Sequence, residues 1–255
     1  MVKKIYLSPS NQRSNPYATG GTNEMAQCDK IANATASALK RCGFEVKVGK
    51  SGDTMQNRCT ESDNFKADIH MPIHTNAYNG KVTGGTLVMV YKNSTEHNKA
   101  GKALLDAVGK ISPGGDYSLS YRTDLYELST PAAMTLYLEV AFHDTATGAN
   151  WIIKNTTAIG EAICKGLCHY FGVTYKSAGT TENNNSSFKS YVVRITASDG
   201  VNIRKAPGTN SSIVGAIPKG GAYTIVAESN GTGATKWGKL KSGAGWIALD
   251  YTEKI

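Results

Sequence analysis

Residues 176–187, KSAGTTENNNSS, carry no large apolar side chain. Such a segment cannot bury enough surface to offset the entropy of ordering it, so it reads as a flexible linker. It separates a first domain, residues 1–175, from a second, residues 188–255. The two parts have different hydrophobic rhythms, and each constrains its fold separately.

In the first domain, short apolar runs alternate with helical patterns. Lys4–Leu7 reads as a strand, followed by a Gly/Ser/Asn-rich loop through Asn23. From Met25 to Cys42 the apolar residues Ile31, Ala34, Ala38 and Leu39 recur at helical spacing, and Gly43 is a stop. Phe44–Val48, Ala67–His74, Gly85–Tyr91 and Met134–Phe142 read as strands. His97–Ile111 and Trp151–Phe171 read as helices. This alternation predicts an α/β domain with a mostly parallel twisted sheet flanked by helices. Sites in such sheets lie at the carboxyl ends of strands.

The second domain is built from short β-type runs: Tyr191–Thr196, Val201–Ile203, Ile213–Ile217, Ala222–Glu228, Trp237–Leu240 and Gly245–Ile247, punctuated by Gly, Pro, Asn and Ser. That rhythm predicts a small all-β, SH3-like barrel. A domain of this size has a thin core, to which Trp237 and Trp246 are expected to contribute.

The formal net charge is +8, about +3 before residue 176 and +5 after it. A basic surface attracts polyanions, but the lysines of the tail are dispersed and form no nucleic-acid-type block. No stretch approaches the ~18 consecutive apolar residues of a membrane span. The opening MVKKIYLSPS is too short in apolar residues for the core of a secretory leader, so the expectation is synthesis in the cytoplasm. The five cysteines (28, 42, 59, 164, 168) are odd in number and contain no CxxC pair. Cys164 and Cys168 share a helix face. They read as buried small hydrophobes rather than a disulfide framework or a structural zinc site, for want of a second suitably placed pair.

Three polar residues stand where such a fold gathers its chemistry. Glu139 interrupts the apolar run LYLEVAF, where a carboxylate is costly to bury without a proton, a cation or a metal. His74 closes ADIHMPIH, and Glu24 opens a helix. Singly, each has a plain structural reading: a strand-end salt bridge, a hydrogen-bonded histidine, and an acid complementing a helix dipole. Together they meet most of the needs of a catalytic zinc, which takes His and carboxylate ligands beside a proton-shuttling carboxylate. His70 lies ~13 Å from His74 along the same strand, too far to share one ion. His143, near the end of the Glu139 strand, is a candidate substrate contact.

These residues sit in recognisable motifs. NRCTESDNFKADIHMPIHTNA, with IHTNA after AD, and the stretch from Pro131 to Phe142 with Glu139 inside it resemble the zinc-dependent N-acetylmuramoyl-L-alanine amidases of bacterial autolysins and phage endolysins. By that resemblance Glu24 and His74 would hold Zn2+, and Glu139 would be the general base and acid. The family usually places a first zinc histidine in a DPGHG-like loop. Here the loop reads Ser8-Pro9-Ser10-Asn11-Gln12, which leaves Asn11 or Gln12 as the third ligand. In the second domain, Val201-Asn202-Ile203-Arg204-Lys205-Ala206-Pro207 and the closing GAGWIALDY resemble the bacterial SH3 family, which implies binding to peptidoglycan or associated wall polymers.

The expected function is therefore cleavage of the bond between N-acetylmuramic acid and L-alanine of the stem peptide, in the manner of a phage or prophage endolysin, without nucleic-acid partners or membrane insertion. The enzyme would be made in the cytoplasm and act at the wall after release. The absent loop histidine motivates an alternative, a wall-binding protein with a metal-deficient, inactive amidase fold. A peptidoglycan endopeptidase or deacetylase would keep the metal and change the bond.

Overall fold

A computed structural model describes residues 2–81, 85–178 and 188–255. The chain divides into two compact units, Met1–Thr180 and Thr181–Ile255. Residues 179–187 of the expected linker lie outside the described residues.

The first unit runs β1 (Lys4–Pro9), α1 (Glu24–Arg41), β2 (Glu45–Val48), α2 (Met55–Phe65), β3 (Ile69–Asn76), β4 (Thr86–Val90), α3 (Thr95–Gly109), β5 (Asp116–Tyr121), α4 (Tyr126–Ser129), β6 (Met134–Phe142) and α5 (Ala146–Phe171). Its six strands form one sheet in the order β2-β1-β3-β6-β4-β5. The first four are mutually parallel, while β4 runs antiparallel to β6 and carries β5 parallel to itself. Four of the five pairings are thus parallel, as the alternation predicts, and one is antiparallel.

Strand alternation sorts the two faces. Ile5 and Leu7, then Met71 and Ile73, then Leu136, Leu138 and Val140 point to one side and pack with Ile31 and Leu39 of α1 and Ile159, Ile163 and Leu167 of α5. The other face carries Tyr6, Ser8, His70, His74, Tyr137 and Glu139, partly covered by α2 and α4. α5 approaches its neighbours through glycines. A Cβ on Gly160 would fall 2.7 Å from the Thr35 amide nitrogen of α1, and one on Gly166 would fall 2.9 Å from the Ala103 carbonyl of α3.

The sequence pattern did not reveal α2 or β5. The buried residues of α2 are Arg58, Cys59 and Ser62, so its inward face is mostly polar and shows no hydrophobic period. Thr54 caps its start by accepting from the Asn57 amide. β5 is an edge strand, DYSLSY, with few apolar residues. α5 begins five residues before Trp151, at Ala146, capped by Thr145, because its first turn (ATGAN) lacks large apolar residues.

The second unit holds β7 (Tyr191–Ile195), β8 (Val201–Arg204), β9 (Ile213–Ile217), β10 (Ala222–Gly231), β11 (Ala234–Leu240), β12 (Trp246–Ala248) and, after a 3-10 turn, β13 (Thr252–Lys254). They form one antiparallel sheet, β13-β7-β10-β11-β12-β8-β9, around Val193, Ile195, Val201, Ile217, Ile225, Leu240 and Ile247. Trp237 is buried as expected, whereas Trp246 is only half-buried. No helix among the described residues is long and apolar enough to cross a membrane.

Candidate active site

The site assembles where β1 and β3 end. After β1 the chain enters a loop pinned at both ends: the Ser10 amide donates to the Ile73 carbonyl (2.9 Å), and the Glu24 amide donates to the Asn15 carbonyl (3.0 Å). Asn23 caps α1 by accepting from the Ala26 amide at 2.9 Å. Glu24, the first residue of that helix, reaches the end of β3, where its Oε1 lies 2.7 Å from His74 Nδ1. The Thr75 amide lies 3.5 Å from the same oxygen. Asn15 donates to Glu24 Oε2 at 2.8 Å. Both members of the pair are buried.

Burial opposes the charge of Glu24, but the bonds from His74, Asn15 and Ser10 outweigh it and hold the carboxyl below its ordinary range. His74 is pushed the other way. Burial favours its neutral form, yet the bond to Glu24 and the charges of Glu139 and Glu24 raise its pKa overall. The ring is stacked on Tyr137 of β6, with centroids 4.7 Å apart, which sets its plane.

Glu139 is the register partner of His74 across the β3–β6 pair, so the topology brings all three expected residues together. Its Oε2 is shielded and has no hydrogen-bond partner. Burial, reinforced by the charge of Glu24 and opposed by His74, pushes the Glu139 carboxyl up to about 7. A carboxyl poised there can both accept and return a proton near neutral pH.

The two loop candidates separate. Asn11 turns away, and its Nδ2 donates to the Asp53 carbonyl at 2.9 Å. Gln12 turns in: its Nε2 lies 3.4 Å from His74 Nδ1, while its Oε1 accepts from Asn15 Nδ2 at 2.5 Å. His143 is not brought into the pair. It is buried, with Nδ1 2.9 Å from both the hydroxyl and the carbonyl of Thr75, and its ring is stacked on Tyr17 at 4.9 Å. The expected cleft-facing contact is thus part of a Tyr17–Thr75–His143 support beneath the end of β3.

Sequence reading missed Asn15 and Tyr137. Tyr137 stands two residues before Glu139 on the same strand face, a period-2 relation that could have marked it. It also missed a deeper polar layer. Arg58 of α2 donates to the carbonyls of Pro9 and Lys50, and Glu127 of α4 bonds Ser8 and faces His70 Nε2 at 3.3 Å. Cys59, His70 and Glu127 lie close enough to hold an ion, but the Arg58 guanidinium shares their enclosure and opposes a dication there.

A profile of N-acetylmuramoyl-L-alanine amidases matches residues 5–169. The chain belongs to the N-acetylmuramoyl-L-alanine amidase family. A bacterial SH3 domain profile matches residues 199–253 of the same amidase. Comparison with curated proteins returns no match. Solved structures of similar fold include the N-acetylmuramoyl-L-alanine amidase AmiC2 of Nostoc punctiforme, at 15% identity and TM-score 0.59, covering 67% of this chain and 97% of that one. An N-acetylmuramoyl-L-alanine amidase from Clostridium difficile 630 matches at 20% identity and TM-score 0.60, with coverage of 67% and 97%. The catalytic domain of the CD27L endolysin targeting Clostridia difficile matches at 18% identity and TM-score 0.55, with coverage of 66% and 97%. The amidase is accordingly a peptidoglycan hydrolase acting at the cell wall, with an SH3-type second domain directed to the same substrate.

Proposed function

We propose that the amidase is zinc-dependent, with Glu24, His74 and Gln12 holding the ion and Glu139 serving as the general base and acid. The observation that carries this reading is the convergence of the Glu24 carboxylate, His74 Nδ1 and the Gln12 amide beside the orphaned Oε2 of Glu139. The donor set fits the metal: imidazole and carboxylate are ordinary zinc ligands, and an amide oxygen is a weaker third. When bound, zinc would polarise the scissile carbonyl and acidify water at its open position.

The chain supplies the rest. Glu139 accepts the proton of the attacking water and delivers it to the departing amine of L-alanine, which leaves a free stem peptide and an N-acetylmuramoyl carboxylate. Asn15 bridges Glu24 Oε2 and Gln12 Oε1, and Tyr137 fixes the plane of the His74 ring; turning the Gln12 amide over would bring its oxygen to the ion. The setting we propose is that of an endolysin, made in the cytoplasm and released onto the wall. All five cysteines are free and buried, as suits folding in a reducing compartment, and an endolysin catalytic domain shares the fold.

Purified walls digested with the full chain and analysed by mass spectrometry test the reading. Intact stem peptides and sugar-terminated glycan are expected, with loss of activity on chelation and recovery with zinc. Walls left intact by a chain that retains no zinc would support the metal-deficient, wall-binding alternative. Cut peptides or deacetylated glycan would point to a different bond.

A further inference from the structure

At the far end of α1, about 27 Å from Glu24 at 1.5 Å per residue, three cysteines meet. Cys42 caps the C-terminus of α1, and Cys164 and Cys168 project from successive turns of α5. The sulfur of Cys164 lies 3.5 Å from that of Cys42 and 3.9 Å from that of Cys168, and the three thiols are mutually within 4.8 Å. All three side chains are buried and none is disulfide-bonded. The backbone closes over them at Lys176, whose amide donates to Cys42 Sγ at 3.2 Å and whose carbonyl lies 3.7 Å from it.

We infer that Cys42, Cys164 and Cys168 form a structural site for a thiophilic d10 cation, Zn2+ foremost, separate from the catalytic pair. Zinc–sulfur bonds of about 2.3 Å in a tetrahedron set sulfur–sulfur edges of ~3.8 Å. The two spacings given above bracket that edge, and both are far longer than a covalent S–S bond of about 2.05 Å. The Lys176 carbonyl already accepts from Arg41 Nε at 2.8 Å, so the fourth position falls to a water, and three thiolates around one dication carry a net negative charge that the Arg41 guanidinium offsets. Binding releases the thiol protons and ties the end of α1, the C-terminal part of α5 and the segment leaving the catalytic unit to one ion. No part of this depends on the wall-hydrolase reading.

Cobalt titration of the metal-free full chain tests the site, because thiolate-to-cobalt charge transfer in the near ultraviolet reports sulfur ligands and is blind to Glu24 and His74. One equivalent should raise the band, and zinc should abolish it. Cys164→Ser and Cys168→Ser should lose it while keeping wall hydrolysis, and Cys59→Ser should retain it. Because a serine variant could fail to fold, zinc protection of the wild-type thiols against alkylation, mapped by mass spectrometry, is the second readout. Selective protection of Cys42, Cys164 and Cys168 is expected. A folded, wall-active chain with no band, a band that persists in Cys164→Ser, or alkylation at the same rate with and without zinc would overturn the inference.

Discussion

Replacing Glu139 with Gln should abolish wall hydrolysis and yet stabilise the metal-free protein at alkaline pH. The folded carboxyl titrates at about 7 against an ordinary 4.5, because it is largely buried and faces the charge of Glu24. A group whose pKa is raised by folding holds its proton more tightly in the folded state. The contribution of Glu139 to stability is therefore greatest below pH 4.5, falls as pH rises toward 7, and is flat above it. At 1.36 kcal/mol per pH unit the shift corresponds to a loss of roughly 2–3 kcal/mol between pH 5 and 8, an upper limit because part of the residue meets solvent. Glu139 also helps to keep His74 protonated, which trims the figure further. Glutamine has no such titration. Scanning calorimetry of the full chain in chelator, following the transition of the catalytic unit, should show the variant gaining about 5–10 °C on the wild type between pH 5 and pH 8. Parallel pH profiles, or a variant less stable at pH 8, would mean that Glu139 is ionised and paired in the fold rather than poised to exchange a proton near neutral pH.

Three further outcomes are expected. Gln12→His should strengthen zinc retention against a chromophoric chelator at least tenfold, since imidazole is the better ligand, whereas Asn11→Ala should leave it unchanged. Arg58→Met removes a buried cation that serves the Pro9 and Lys50 carbonyls; the catalytic unit should lose about 3 kcal/mol or more in urea denaturation. Gly160→Ala places a methyl against the Ala34–Thr35 backbone and should cost about 1–3 kcal/mol by forcing α1 and α5 apart, read as a drop in the same calorimetric transition.

Glu24, His74 and Glu139 were legible because each is a polar residue at a place where local pattern demands an apolar one or a helix start, and because the IHTNA motif surrounds one of them. Strand and helix identities followed wherever one face was apolar, as in β3, β6 and α1. Pattern carries no signal where burial is polar. α2 turns Arg58 and Ser62 inward, and the Arg58–Ser8–Glu127–His70 layer it completes carries no periodic signal. The choice between Asn11 and Gln12 was equally invisible, since the outcome depends on the carbonyl of Asp53 drawing one of them away. Cys42 stands 122 residues before Cys164, and only the packing of α1 on α5 makes them neighbours. Reading Cys164 and Cys168 as an isolated pair followed from spacing alone. In the second unit, β13 was missed because Thr252–Lys254 is too short to show alternation.

The proposed function stands on Glu24, His74 and Gln12 sharing one ion beside Glu139. Anomalous diffraction at the zinc edge, on crystals of the zinc-loaded full chain, addresses it directly. A peak is expected about 2 Å from both His74 Nδ1 and a Glu24 oxygen, with the Gln12 amide turned from Asn15 so that its oxygen faces the ion. A zinc-loaded crystal with no density between Glu24 and His74, and with the two side chains still hydrogen-bonded to each other, would contradict it.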